Sequence, residues 1–302
     1  MAAPPSTTDS KASDCKAFAK LRPYIQKITV GNAAKREMFH NCLKASLAKC
    51  FEFNELVRAD GGLGYAFFGI PALRGICEDL IVLNFVRKLP RKDRSQLLLE
   101  LMAHDTHSRM DCQSKFFGRA RPQQPVLSMK DAKTTIDSIE TRIRAIWNRH
   151  GWPNLGHGTM PQIRQIAEKQ GLPILSVLYD YLYRLTSGTV HFSVQSLLRS
   201  GWGNSLPECT FSTGHFQPYF LAFGRVYGAY LFCLYFEFFG RFLRPDASSK
   251  QAIDEIRTTL LSEPRWPEMV TFEEMNLKAP QLGVSNLLMT FMQARTTTKL
   301  IV

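Results

Sequence analysis

The sequence has no cysteine pair at the CxxC spacing, and its cysteines are odd in number. A zinc ribbon needs such pairs and a disulfide framework needs an even set, so neither is predicted. Most of the cysteines lie in apolar, helical contexts, which is typical of reduced thiols inside the cell. We therefore expect a cytoplasmic location. The seven are Cys15, Cys42, Cys50, Cys77, Cys112, Cys209 and Cys233.

A long uncharged apolar run is also missing. The most apolar stretch, residues 219–243, is interrupted by Arg225, Glu237 and Arg241. A membrane helix needs about 20 apolar residues, and charges inside a bilayer are costly. This stretch therefore predicts a buried helix, and no membrane span is expected. Residues 1–14 are small and polar and lack the apolar core of a signal peptide, which predicts a disordered N-terminus.

Several motifs of familiar enzymes are absent. The sequence has no P-loop, no GxGxxG following a strand, no GxSxG elbow and no HExxH. These motifs cradle phosphates, bind dinucleotides, present a serine nucleophile or hold zinc. A nucleotide hydrolase, a dehydrogenase or a serine hydrolase is therefore not expected, and no cofactor is predicted.

Acidic residues are scarce relative to basic ones. There are 26 Asp and Glu against 38 Lys and Arg, which gives a formal net charge of +12. Such an excess favours anionic partners, so we expect RNA or another phosphate-bearing ligand. The basic residues concentrate in the stretches 16–49, 87–94 and 142–149. No RNP, KH, zinc-finger or helix-turn-helix signature accompanies them.

Strand patterns are lacking, whereas helical spacing of apolar residues recurs along the chain. We predict an all-α multi-helix bundle over residues 15–261, with a loop at residues 201–218. Residues 262–302 are predicted to form an irregular appendage that packs on the same domain and contains a short helix at 284–294. The predicted helices include 72–88, 91–117, 173–183, 219–243 and 247–261.

The best-defined polar constellation lies near residues 179–193. Tyr183, Ser187 and His191 are spaced four apart, and Arg184 lies seven residues before His191. On a continuous helix these side chains share one face. Histidine can exchange a proton near neutrality, and arginine can clamp a phosphate. The spacing therefore predicts a phosphate site, with a structural hydrogen-bond network and a surface Arg184 as the alternative.

A second pair, Arg74 and Glu78, lies four residues apart in a strongly apolar helical segment. Such a pair is usually a modest salt bridge on a helix surface. The apolar flanks suggest that one of the two points into the bundle. A buried carboxylate needs a partner, so we expect Glu78 to meet Arg184 or His191.

A third polar stripe offers a weaker alternative, a metal site. Its residues are spaced four, three and four apart, so they line one helical face, and helical bundles build metal sites from Glu and His at such offsets. The neighbouring polar residues favour a solvated face. The stripe consists of Glu100, His104, His107 and Asp111.

The two principal motifs together resemble an uncharacterised all-helical bacterial family. That family pairs an Arg-x3-Glu helix with a later Tyr-x3-Ser-x3-His segment. Here these are Arg74 with Glu78, and Tyr183 with Ser187 and His191. The resemblance covers roughly residues 67–242. It implies a fold and a candidate site but no reaction, because the activity of the family is itself unknown.

More loosely, Arg184-x6-His191 resembles the Arg-x4-6-His motif of HEPN proteins, many of which are metal-independent ribonucleases of defence systems. The resemblance implies a homodimer in which the Arg and His of two protomers form one cleft. His191 would then handle protons while the ribose 2′-hydroxyl attacks the adjacent phosphate, and Arg184 would stabilise the developing charge. Two departures weaken the match: Leu185 stands where active members commonly carry a polar residue, and Gly188 lies within the motif.

We therefore predict a HEPN-like endoribonuclease or RNA-binding effector, with phage defence as the biological setting. The alternative is a non-catalytic helical binding module, in which the same residues form a structural network or a small-anion pocket. The candidate site residues are Arg74, Glu78, Tyr183, Arg184, Ser187 and His191.

Overall fold

The architecture is taken from a computed structural model of the chain. It describes residues 8–30, 38–59, 66–128, 131–153, 155, 158–205 and 208–271. Within these ranges the chain forms helices and a single two-stranded antiparallel hairpin. The helices are α1 (Thr8–Thr29), α2 (Met38–Leu56), α3 (Ala66–Gly69), α4 (Pro71–Val86), α5 (Arg91–Ala120), α6 (Ala132–Arg149), α7 (Ile163–Lys169), α8 (Pro173–Val190), α9 (Val194–Arg199), α10 (Gln217–Leu243) and α11 (Ala247–Ser262), and the strands are β1 (Gly201–Ser205) and β2 (Glu208–Phe211).

The all-α prediction is confirmed, with one local correction. The predicted loop at 201–218 contains the hairpin β1–β2, in which Gly201 pairs with Phe211 and Trp202 with Thr210. The helix α1 begins at Thr8, inside the stretch 1–14 that is expected to be disordered. The helix predicted at 284–294 lies outside the described residues.

The chain divides into two compact units, each assembled from separate segments. Unit 1 comprises residues 1–30, 44–78 and 178–302, and unit 2 comprises residues 31–43 and 79–177. Three helices, α2, α4 and α8, contribute residues to both units. The single domain predicted over 15–261 stays a prediction, and each unit is described by itself below.

The core of unit 1 is built around α10, as its apolar sequence predicts. This helix has the length and composition to cross a membrane, but 67% of its most apolar window is buried inside the protein. The ring of Phe232 lies 5.1 Å from that of Phe18 in α1 and 5.9 Å from that of Phe51 in α2. The helices α3 and α11 also pack against α10. The apolar surface of α10 is thus largely buried by packing within unit 1.

Two glycines let α10 and the C-terminal part of α2 approach closely. A Cβ atom on Gly228 would lie 2.8 Å from a ring carbon of Phe53 and 3.0 Å from Oδ1 of Asn54. Asn54 is fully buried, and its Nδ2 donates to the carbonyls of Gly228 at 2.9 Å and Cys50 at 2.8 Å. One turn earlier, Gly224 faces Val57 in the same way. The contact leaves no room for a side chain at position 228.

In unit 2, the long helix α5 packs along α6. The hydrophobic positions of α6 recur at helical spacing and are buried, among them Ile139, Ile143 and Trp147. The Trp147 ring stacks on Phe85 with centroids 5.6 Å apart, and its Nε1 donates to the carbonyl of Thr159 at 3.0 Å. These contacts satisfy both the apolar and the polar part of a buried tryptophan.

Glu237 of α10 makes the stability of the protein depend on pH. Burial raises the pKa of this carboxyl to about 7 from its usual 4.5, against the opposing attraction of Arg257. The native state therefore binds more protons than the unfolded chain between those two values, and the free energy of unfolding falls as pH rises through that window. The shift corresponds to roughly 3 kcal/mol, and partial exposure of the group reduces the expected effect to about 1–2 kcal/mol.

We expect Glu237→Gln to be more stable than the wild type by about 1–2 kcal/mol at pH 8, with the difference nearly absent at pH 4. Urea unfolding at both pH values measures this. Glu52→Gln is the matched control, because Glu52 is exposed on α2. Equal stabilities of Glu237→Gln and wild type at pH 8 would contradict the assignment.

Candidate functional site

A polar cluster joins α4 to α8 within unit 1. Arg74 and Glu78 lie one turn apart on α4, and Nε of Arg74 donates to Oε1 of Glu78 at 2.8 Å. The hydroxyl of Tyr179 on α8 donates to the same oxygen at 3.2 Å. The Glu78 and Arg74 side chains are 29% and 27% exposed, so the pair is only partly desolvated. A carboxylate with two donors on one oxygen holds the two helices in a fixed relation.

Tyr183 completes this Arg–Glu–Tyr cluster, which consists of Arg74, Glu78, Tyr179 and Tyr183. The Arg74 guanidinium lies 4.3 Å from the centroid of the Tyr183 ring, a cation–π contact. The two tyrosine rings are 5.9 Å apart. The structure therefore brings together three residues that the sequence singled out. Tyr179 was missed, although the four-residue spacing of the motif extends back to it.

The expected partner of Glu78 is corrected by this geometry. Its carboxylate binds Arg74 and Tyr179, whereas the sequence pointed to Arg184 or His191. The reason is the rotation of α8: Tyr179 and Tyr183 share the face that meets α4. Arg184 is one residue further round the helix and is exposed.

Arg184 lies on the solvent side of α8, and His191 directly follows the last residue of this helix, Val190. They are two turns apart, and the backbone N–H of His191 donates to the carbonyl of Ser187 at 2.8 Å, which continues the helical path past Val190. Both side chains are exposed, and Ser187 between them is half-buried. Among the described residues, neither the Arg184 nor the His191 side chain has a hydrogen bond or an ion pair. Both groups can therefore meet a ligand from solvent.

Gly188, inside this motif, marks a close approach of α9. A Cβ at this position would overlap Oγ of Ser196 and lie 3.5 Å from Oγ of Ser193. Ser193 caps α9, its Oγ accepting the backbone N–H of Ser196 at 3.3 Å. The glycine thus lets the chain fold back directly after His191.

A small cavity lies beside α8 in unit 1. Its volume is about 30 Å³, which suits ordered water rather than a nucleotide. From α8 it is lined by Leu185 and Thr189, and not by Arg184 or His191. The remaining lining residues are Phe67, Ser196, Arg199, Ser200, Ser212, Thr213, Phe216 and Phe220. This cavity is therefore separate from Arg184 and His191, whose side chains are exposed to solvent.

The stripe on α5 that was considered for metal binding is engaged with α6. Both oxygens of Glu100 accept from Arg142, at 2.7 and 2.9 Å. His104 Nε2 lies 3.2 Å from Glu140 Oε1, and Asp111 binds Lys115 at 2.6 Å. Nδ1 of His107 is buried, and no residue that the structure describes forms a hydrogen bond with it. In the part of the chain that the structure describes, no three His, Cys, Asp or Glu side chains are placed to hold a metal ion.

The same contacts neutralise part of the basic stretch 142–149. Arg142 is paired with Glu100, and Arg149 donates to Asp93 at 2.8 Å, where His150 also binds at 2.9 Å. These two hydrogen bonds, to His150 and then Arg149, hold the pKa of Asp93 below its usual value. In this stretch Arg142 and Arg149 therefore form ion pairs that join α6 to α5.

The Arg–Glu–Tyr cluster makes a testable prediction about Tyr179. Burial, and next the charge of Glu78, raise the pKa of Tyr179 to about 12. Glu78→Gln removes that charge, so we expect the pKa of Tyr179 to fall and the protein to lose about 1 kcal/mol of stability. Tyrosine ring-carbon NMR measures the titration, and urea unfolding measures the stability.

The matched reference in that spectrum is Tyr24, whose pKa is also raised to about 12, by burial and then by Asp246. Its titration should not change in Glu78→Gln. An unchanged Tyr179 titration together with unchanged stability would show that the cluster carries no energetic coupling between α4 and α8.

Comparison with known families gives one match, which covers the Arg–Glu–Tyr cluster and the Arg184–His191 surface. Residues 66–205 match the model of a family described as Family of unknown function (DUF5677). The comparisons with curated proteins and with solved structures found no match. The match begins where the resemblance to an uncharacterised family was expected to begin, but it ends before the expected residue 242. Within residues 66–205, the range of this chain that contains both motifs, the chain is thus similar to a family of unknown function.

Proposed function

We propose that the protein is an RNA-binding, metal-independent endoribonuclease whose reacting groups are Arg184 and His191. The observation that carries this proposal is the exposure of both side chains, Arg184 on α8 and His191 directly after its last residue, with no polar partner among the described residues. A chain of net charge +12 attracts RNA to such a surface. The HEPN resemblance of the same two residues supplies the reaction class.

The chemistry requires one proton acceptor and one cation. His191 in its neutral form accepts the proton of a ribose 2′-hydroxyl, and the resulting oxygen attacks the adjacent phosphorus. Arg184 binds the non-bridging oxygens while negative charge builds on them. The bond to the 5′-oxygen breaks, and that oxygen takes a proton from an acid or from water. The products are a 2′,3′-cyclic phosphate and a free 5′-hydroxyl.

The Arg–Glu–Tyr cluster has a positioning role in this proposal. It lies on the face of α8 next to Arg184 and ties that helix to α4 through Tyr179 and Tyr183. A helix held in this way keeps two surface side chains in register with each other. Its four residues are therefore expected to alter the rate of cleavage through the orientation of α8 rather than through contact with RNA.

A homodimer is part of the proposal, because one histidine cannot serve as acid and base in the same instant. Several apolar side chains between residues 190 and 211 of unit 1 are exposed, and that of Phe192 is 85% exposed. A concentration of exposed apolar side chains commonly marks a protein interface. A two-fold axis through it would bring His191 of the partner subunit close to His191 of the first. The other exposed residues are Val190, Val194, Leu197, Leu198 and Phe211.

A non-catalytic binding module is the second candidate, and one observation favours it. The Arg–Glu–Tyr cluster is satisfied internally, since Glu78 already binds Arg74 and Tyr179. Such a network can stabilise the packing of α4 and α8 without taking part in a reaction. In that case the Arg184–His191 surface would bind RNA or another phosphate-bearing ligand without turnover.

A cleavage and binding assay on the same RNA pool separates the two candidates. The full chain is incubated with mixed-sequence RNA in the presence of EDTA, and parallel samples measure binding by fluorescence anisotropy. Cleavage that persists in EDTA supports the ribonuclease. Binding without cleavage supports the binding module, and the absence of both contradicts the two proposals together.

A further inference from the structure

A groove of about 410 Å³ lies between the C-terminal half of α10 and the helix α11. It shares no lining residue with the Arg–Glu–Tyr cluster, with the Arg184–His191 surface or with the small cavity beside α8. Pockets for small molecules commonly have volumes of about 300–1,000 Å³ and combine an apolar lining with a few charged groups. Its size therefore suits a small organic ligand.

Three cations line this α10–α11 groove. Arg241 comes from α10, and Lys250 and Arg257 lie two turns apart on α11. Arg257 is paired with Asp254 at 3.1 Å, and it also interacts electrostatically with Glu237. Arg241 and Lys250 have no side-chain ion pair within the described part of the chain, and both are exposed. These two are thus the cations available to an anion.

The base of the groove is apolar and open. The buried side chains of Phe236 and Ile253 form part of it. Gly240 also lines the groove, and a Cβ at this position would meet no atom within 4 Å. An apolar base beside two cations matches a ligand with a ring or hydrocarbon part and an anionic end.

We propose that the α10–α11 groove binds a small organic phosphate. The phosphate lies on Arg241 and Lys250, and the apolar part of the ligand covers Phe236 and Ile253. Phosphate is favoured over carboxylate because its charge and its oxygens can engage two separate cations at once. This inference does not rest on the proposed ribonuclease activity.

The experiment is calorimetric titration of the full chain with AMP and, separately, with inorganic phosphate. We expect saturable binding of AMP at one site, with inorganic phosphate weaker by at least about tenfold because it lacks the apolar part. Arg241→Ala with Lys250→Ala removes the cations and should abolish binding. Gly240→Trp fills the open space and keeps the cations, and it should lower the affinity for AMP at least about tenfold.

Gly118→Trp is the matched control, because a Cβ at this exposed position of α5 also meets no atom within 4 Å. It should bind AMP as the wild type does, and circular dichroism should show the same helicity for both tryptophan variants. No AMP binding by the wild type, or unchanged binding in Gly240→Trp, would overturn the proposal. Equal affinities for AMP and inorganic phosphate would overturn the proposal that the groove recognises the organic part of the ligand. Loss of RNA binding instead of AMP binding in Gly240→Trp would assign the groove to RNA.

Discussion

Replacing His191 with alanine is expected to lower the rate of RNA cleavage by about 100- to 10,000-fold, the usual contribution of a general base. The fold should survive, because His191 is exposed and lies just beyond the end of α8. The measurement is the initial cleavage rate in EDTA, with thermal unfolding as the check on the fold. A folded variant that cleaves at the wild-type rate would remove His191 from the mechanism.

Arg184→Ala completes this test, with Arg119→Ala as its charge-matched control. Both variants lose one exposed positive charge, but Arg119 lies on α5 in unit 2. If Arg184 stabilises the transition state, its loss should reduce the cleavage rate at saturating RNA by about 100-fold or more. Loss of Arg119 should leave that rate unchanged. Equal effects of the two substitutions would indicate a general electrostatic attraction for RNA instead of a site.

Gly228→Ala is expected to destabilise the protein by about 1–3 kcal/mol, although alanine normally favours a helix over glycine. The added Cβ would lie 2.8 Å from the Phe53 ring and 3.0 Å from the buried amide of Asn54. Moving the Asn54 amide would weaken its hydrogen bonds to the carbonyls of Gly228 and Cys50. Urea unfolding measures the loss.

Gly240→Ala is the control for the same helix. Its Cβ would meet no atom within 4 Å, so the helix propensity of alanine should act alone and stabilise the protein by up to about 1 kcal/mol. Opposite signs for the two substitutions are therefore expected. A stabilised Gly228→Ala variant would show that α2 and α10 do not approach as closely as described.

The sequence predicts the position of a helix well where residues typical of a helix start and the spacing of apolar residues agree. Pro71 and Pro173 begin α4 and α8 because proline suits the first turn of a helix. The helix α8 continues to Val190, beyond the predicted end at Tyr183. Gly188 weakens the helix locally, but its close approach to Ser196 of α9 is a tertiary contact that stabilises this turn. The apolar spacing of the sequence does not reveal that contact.

The remaining features depend on pairings between distant segments. The strands β1 and β2 are short, and β1 contains two glycines, so they lack the alternation that would predict a hairpin. Tyr179 and Glu78 are 101 residues apart, so the spacing within either helix could not predict their hydrogen bond. The predicted site joined Arg74, Glu78 and Tyr183 to Arg184, Ser187 and His191, and the contacts described here link the first three of these six.

The most direct test of the proposed reaction compares an RNA oligonucleotide with its fully 2′-O-methylated counterpart in EDTA. We predict that the wild-type protein cleaves the RNA, leaves 2′,3′-cyclic phosphate ends and does not cleave the methylated strand, because the attacking hydroxyl is blocked. Cleavage of both strands, or RNA products without cyclic phosphate ends, would contradict the assignment of His191 as the base that activates the 2′-hydroxyl.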